Sequence, residues 1–234
     1  MEEKKNKGIK TNETAGQAVE IEVMEDVYDR NEKLAAELNE KLTGERVFAL
    51  NVMGAPGVGK TSVLSCIIPL LDKKAWVIEG DIQSSIDSER LNSLGIETYQ
   101  INTGGACHLD SPAIARAFEE LKPEDGYLFI ENIGNLVCPA EFMIGEHVKV
   151  LISNVTEGSD KPYKYPLAFE KADLILVNKV DLMEYADFDK DMFLKGVRAL
   201  NKSAPVLFVS AKKREGFEEA AAWIKEKAKS VTGE

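Results

Sequence analysis

Cysteine and histidine are scarce in this sequence, with three of the first and two of the second among 234 residues. An odd number of cysteines without regular spacing excludes a disulfide framework and fits a reducing compartment, so a cytoplasmic location is expected. The same scarcity argues against a passive metal store. A basic excess is also missing: 29 Lys and Arg against 40 Asp and Glu give a net charge of -11. That balance argues against nucleic acid as a partner, although phosphate binding needs only a local positive site. No apolar run approaches the length of a bilayer span. The opening MEEKKNKGIKTNET lacks the apolar segment of a secretory signal. No membrane partner is expected, and there is no internal repeat.

What is present suits one α/β domain with a helical appendage. The hydrophobic share of 44% is enough for a sizeable core. Three regions are expected: a loose polar N-terminus over 1–16, an N-terminal helix over 17–45, and an α/β domain over 46–234. In the second, Val19, Val23, Val27, Leu34, Leu38 and Leu42 recur at helical spacing. That helix either packs on the domain or pairs with a second copy. In the third, seven strand-like runs (47–53, 75–79, 97–101, 127–131, 148–153, 173–177, 205–209) alternate with helical patterns. One pattern follows Lys60. Another follows "DSP", where Ser111 can cap and Pro112 fits the first turn. Two more run through 193–200 and 217–229. The alternation predicts a mostly parallel sheet of about seven strands with helices on both faces; together with Gly54-x-x-x-x-Gly59-Lys60-Thr61 at the end of its first strand, it predicts a P-loop NTPase fold.

The stretch "NVMGAPGVGKTS" follows the first strand and opens a helix. Its Gly54-x-x-x-x-Gly59-Lys60-Thr61 is the complete P-loop pattern in the context it requires. Gly54, Gly57 and Gly59 let the backbone of Ala55, Pro56, Val58 and Ser62 close around phosphate oxygens. Lys60 reaches the β- and γ-phosphates, and the Thr61 hydroxyl can ligate Mg²⁺. "VNKVD", after the sixth strand, supplies Asn178, Lys179 and Asp181. A carboxylate at Asp181 accepts the N1–H and N2–H₂ donors of guanine, which adenine lacks, so GTP is the expected nucleotide. Asn178 supports the base or a neighbouring loop. Ser210, Ala211 and Lys212 ("SAK") can offer a backbone N–H to the base.

Between these lie the residues expected to sense the γ-phosphate. Glu131 and Gly134 in "IENIG" occupy the end of the fourth strand. Asp81 and Asp87 in "EGDIQSSID" follow the second. Asp81 and Glu131 are expected, with Thr61, to organise Mg²⁺; Asp81 or Asp87 positions the attacking water or merely caps a helix. With no obvious histidine or glutamine base, hydrolysis is expected to be slow, on the order of 10⁻³ per second or below.

"GGACHLD" places Cys107 beside His108, and "GNLVCPAEF" carries Cys138. Both loops leave the carboxyl ends of strands, the edge that also carries Gly54 and Asn178. Two thiolates and an imidazole there suit Zn²⁺ or Ni²⁺; the alternative is two small buried thiols and a structural imidazole. Three donors leave a site incomplete, to be finished by water or by a second subunit. Cys66 reads as core and His147 as structural.

Taken together, "GAPGVGKTS", "EGD", "NTGGACHLD", "IENIGNLVCPAEF", "VTEGSDKPYKYP" and "VNKVDL" resemble the hydrogenase nickel-insertion GTPases, the HypB family, over about 47–210. The resemblance implies slow, Mg²⁺-dependent GTP hydrolysis and assistance with nickel delivery to the large-subunit precursor of [NiFe] hydrogenase. It also implies a small zinc-bearing partner protein, and a homodimer linked to nucleotide and metal. By motif, its metal site falls on Cys107, His108 and Cys138. An N-terminal cysteine motif and a histidine-rich tract, found in some members, are missing here. Met143 and Ser159 stand where the family often has acids. Rival readings are the same machinery serving urease, a passive nickel- or zinc-binding P-loop protein, and a small-molecule kinase.

Overall fold

A computed structural model describes residues 14–81 and 91–233, with side chains over 29–80 and 91–233. The expected loose segment 1–16 therefore lies almost wholly outside the described residues. Helix α1 runs Thr14–Gly44. Strand β1 follows (Val47–Gly54), then α2 (Lys60–Ile67), β2 (Ala75–Asp81), β3 (Glu97–Asn102), α3 (Ser111–Leu121) and β4 (Gly126–Glu131). The remainder is α4 (Cys138–Glu141), β5 (Val148–Asn154), α5 (Lys161–Lys164), α6 (Pro166–Lys171), β6 (Leu174–Asn178), α7 (Lys190–Leu200), β7 (Val206–Phe208) and α8 (Phe217–Thr232).

The seven strands form one sheet in the order β3-β2-β4-β1-β5-β6-β7. All paired neighbours are parallel. Every residue of β1, β5 and β6 is buried, as expected for apolar strands covered on both faces. Alternate residues of β1 serve the two faces. Phe48, Leu50 and Val52 join a core with α2 and α8. Val47 and Ala49 face α3 and the end of α1, where Leu38 and Leu42 are buried. Over its described side chains, α1 thus packs on the domain. A third cluster on that second face packs Met53, Leu151 and Ile175 against Phe169 and Phe193.

One detail departs from the sequence reading. The cap of α3 is Asp110, whose carboxylate accepts from Ala113 N at 2.9 Å. Ser111 lies inside the first turn. Its hydroxyl donates instead to the carbonyls of Asn31 and Met143, both at 3.2 Å, tying α1 to the loop before β5.

Because β4 and β1 are neighbours, the chain leaves β1 toward β2 and leaves β4 toward β5, on opposite sides of the pair. A crevice at the carboxyl ends of the strands follows from that switch in order.

Candidate functional site

The P-loop grows from the end of β1. A Cβ at Gly54 would meet the Ile152 carbonyl at 2.7 Å, so only glycine lets β1 lie this close to β5. Gly59 has φ 96°, and a Cβ there would meet Asn178 Nδ2 at 2.8 Å. After this left-handed turn Val63 N donates to Gly59 O at 2.9 Å, and α2 begins with Lys60 and Thr61, both buried. A cavity of about 330 Å³ opens over this helix start, lined by Gly57, Lys60, Thr61, Glu79, Glu131 and Gly134 among others. Helix N-terminal N–H groups and an ammonium at one cavity floor suit phosphate. The Thr61 hydroxyl donates to Glu131 Oε1 at 3.0 Å across that floor. Gly134 packs on Pro56, where a Cβ would approach within 2.9 Å.

An adjoining cavity of about 440 Å³ is lined by Asn178, Lys179, Asp181, Leu182, Ala211 and Lys212, with Gly59 and Ser62 at its border. Asn178 ties two loops together: Nδ2 donates to Val58 O and Oδ1 accepts from Ala211 N, both at 3.1 Å. Of the two roles open to Asn178, the geometry therefore gives loop support. The Ala211 N–H is likewise engaged by Asn178. Lys179 Nζ donates to Gly57 O at 2.7 Å, across the mouth between the two cavities. Asp181 Oδ1 accepts from Ser210 Oγ at 2.6 Å, which fixes the carboxylate.

The thiols and the imidazole converge. Cys107 Sγ lies 3.2 Å from Cys138 Sγ and 3.4 Å from His108 Nδ1. The three donor atoms all lie within 4.8 Å of one another, with Cys107 exposed and the other two half-buried. Two thiolates on one ion, with bonds near ~2.3 Å, stand less than about 4.6 Å apart. The donor set and spacing therefore fit a thiolate–imidazole ion. Both cysteines are free. The hydrogen bond to Cys138, with burial, pushes the Cys107 thiol up, and burial pushes His108 down, toward its neutral form. The His108 ring stacks on Phe142, centroids 4.2 Å apart.

The loop of Cys107 and the P-loop meet through Asn135. Its Nδ2 donates to Cys107 O at 3.1 Å, and its backbone bridges to Gly54 at the P-loop's start. Of the two aspartates singled out after β2, Asp87 and the side chain of Asp81 lie outside the described residues; Asp81 closes β2. Cys66 is buried in α2. His147 is half-buried between Thr43 Oγ1 and Ala49 N, a structural setting.

Several residues at the site were not singled out from sequence: Glu79, Asn132 and Asn135 above all. Glu79 is the register partner of Glu131 on the adjacent strand, which puts two carboxylates side by side at the cavity. An acid following the apolar run of a strand, at Glu79 after "AWVI", is the feature that points to it. Ser159, in place of an acid, accepts from Asp189 N at 2.6 Å, and Met143 is 44% exposed.

Comparison with known proteins agrees with this layout. The family described as CobW/HypB/UreG, nucleotide-binding domain, matches residues 48–208. Hydrogenase maturation factor HypB of Azotobacter chroococcum mcd 1 is 45% identical over 207 residues, 87% of this chain and 68% of that protein. Hydrogenase/urease maturation factor HypB of Helicobacter pylori (strain J99) is 34% identical over 232 residues, 97% of this chain and 96% of that protein. The crystal structure of Helicobacter pylori HypB in complex with nickel superposes with a TM-score of 0.82 at 36% identity, over 86% of this chain and 96% of the other. Among the described residues no helix is long and apolar enough to cross a membrane. Motif order, sheet and identity across most of the chain all lead to one assignment: this protein belongs to the HypB family.

Proposed function

We propose that the protein is a GTP-hydrolysing metallochaperone of the cytoplasm that assists nickel insertion into [NiFe] hydrogenase and couples GTP binding and hydrolysis to dimerisation and metal release. In this reading the P-loop and Lys60 hold the triphosphate, and Asp181 selects guanine. Thr61 and Glu131 offer hard oxygen donors 3.0 Å apart, which fits Mg²⁺. The ion, when bound, neutralises charge on the β- and γ-oxygens. Asp81 is the third residue assigned to it, and Asp81 or Asp87 orients the attacking water. Gly134, packed on Pro56, is placed to respond to the γ-phosphate. Cys107, His108 and Cys138 carry the nickel cargo, or zinc in its stead. The partners are a second copy of the chain, a small zinc-bearing nickel-insertion protein and the hydrogenase large-subunit precursor.

The observation that supports coupling above all is the contact of Asn135 with both Cys107 O and Gly54. A metal loop and the phosphate loop share one residue, so a shift in either reaches the other. Urease is the second client reading, because the Helicobacter pylori relative is named a hydrogenase/urease maturation factor.

Phosphate release from GTP and from ATP tests the reading. The intact chain should release phosphate from GTP on the order of 10⁻³ per second, with little from ATP. Lys60→Ala should lose at least about tenfold of it, since that ammonium is placed at the transferring phosphates. No GTP-dependent release from the intact chain overturns the enzyme.

A further inference from the structure

A thread of buried polar side chains runs beneath the site through strands that are otherwise apolar. Asn132 follows Glu131 and lines the phosphate cavity. Its Oδ1 accepts from Leu109 N at 3.1 Å, the residue next to His108. Its Nδ2 donates to Asn51 Oδ1, in the middle of β1, at 3.1 Å. Asn51 Nδ2 donates to Glu146 Oε1 at 3.3 Å. Glu146 pairs with Lys149 at 3.0 Å and accepts from Ile144 N at 2.8 Å through its other oxygen. Lys149 Nζ then donates to Phe142 O at 2.7 Å, Pro139 O at 3.2 Å and Ala140 O at 3.4 Å. These carbonyls belong to the short helix that Cys138 opens and to the residue whose ring lies on His108.

Each of the four residues is at least 94% buried, the least buried being Lys149 at 6% exposure. Apolar residues would be the ordinary occupants of a parallel strand. A buried ion pair also gives weak net stability, because desolvation offsets the attraction. What a fully bonded network of this kind does supply is one defined arrangement of the segments it joins. The segments joined here are the strand end at the γ-phosphate side, the loop of Cys107 and His108, and the helix of Cys138. The two ends of the thread thus reach all three donors by separate routes, through Leu109 N and through Lys149.

We propose that Asn132, Asn51, Glu146 and Lys149 form a relay of positioning residues that links the nucleotide state of segment 131–134 to the geometry of the metal donors. The proposal rests on the GTP–metal coupling argued above. Displacement of Asn132 changes two of its side-chain bonds together: one on the Cys107–His108 loop, the other on the thread that ends at the carbonyls around Cys138. Asn51 and Lys149 touch neither cavity, so their role is read only through what they hold.

Nickel(II) titration of the full chain, followed by the thiolate-to-nickel absorption band with GDP or a non-hydrolysable GTP analogue bound, tests it. In the intact chain the two nickel dissociation constants should differ by at least about fivefold, the low end of ordinary coupling between sites. Asn51→Ala cuts the thread at its centre. The paired change Glu146→Leu with Lys149→Met removes both charges together, so no ion is left buried alone. Both variants should bring the ratio within about twofold of unity while GTP-analogue affinity stays within about threefold of the intact chain. The paired change should also shift the nickel band, because Cys138 and the ring on His108 lose their tether. Lys149→Arg keeps a cationic donor and should retain the ratio. If Asn51→Ala, folded by circular dichroism, keeps the intact ratio, the relay is overturned while coupling stands. A ratio near unity in the intact chain overturns the coupling itself and the relay with it. Should the paired change fail to fold, Asn51→Ala alone decides.

Discussion

In the proposed function Asp181 carries the discrimination between bases, and its surroundings suit that role. The Ser210 hydroxyl, fully buried, donates to one carboxylate oxygen at 2.6 Å. That bond occupies one of roughly four acceptor positions and holds the group in one orientation toward the cavity. Asp181→Asn replaces an acceptor-only group with one that presents donors toward the guanine donors. GTP affinity should fall on the order of a hundredfold, as loss of a charge-assisted pair implies, while ATP affinity moves little; competition against a fluorescent guanine nucleotide measures both. The chemistry of Asp181, Lys60 and Thr61 was legible in the sequence because their spacing along the chain is itself the motif. Asn132 and Asn135 were not, since their work depends on what β1 and the loop after β3 bring opposite them. Asn51 and Lys149 had one visible sign, a polar residue inside a run such as VFALNVM or VKVLIS. A strand with one solvated face would give the same sign, and only the fully covered sheet turns it into a buried network.

At the scale of elements, the contest over the start of α3 shows where sequence reading stops. Asp110 and Ser111 both have capping chemistry, and sequence alone chose the serine. The structure gives the cap to Asp110, because Ser111 is drawn into bonds with α1: its N–H donates to Asn31 Oδ1 at 3.1 Å and its hydroxyl to Asn31 O. Tertiary partners, absent from local spacing, decided it. The strands, by contrast, were legible to within two residues at each end, since short strand-like runs between helical patterns have few other solutions. Asp110→Ala should destabilise the fold by about 1 kcal/mol, the usual worth of such a cap, read from the midpoint of urea unfolding. Asp110 lies two residues after His108, so the same variant should loosen the metal loop and weaken nickel binding several-fold by titration. A stability loss with unchanged nickel affinity would confine the cap's effect to the helix.

For the whole molecule, what matters is that parallel crossovers gather distant segments along one edge. Placing β4 between β1 and β2 brings Cys138 to Cys107, and both to the P-loop. Among the described residues the gathered donors are three, and Cys107 is exposed. Val137 and Met143, near the cluster along the chain, are 51% and 44% exposed. A second copy docking about a twofold axis would cover that apolar surface and bring further donors to the ion. Nickel(II) with a non-hydrolysable GTP analogue should therefore move the chain from its monomer mass of 25.8 kDa to twice that on a calibrated sizing column. Cys107→Ala and Cys138→Ala should each leave it monomeric; if both associate as the intact chain does, the cluster is not the metal-linked contact. Acid should oppose the shift. The Cys107 thiol is held above its ordinary value by Cys138 and by burial, so it is protonated throughout the neutral range and the metal must displace that proton. Each thiol proton so displaced weakens nickel binding by on the order of tenfold per unit fall in pH. The dimer should accordingly dissolve from pH 8 toward pH 6 at fixed nickel, and association that is independent of pH over that range would mean the contact forms without thiolate ligation.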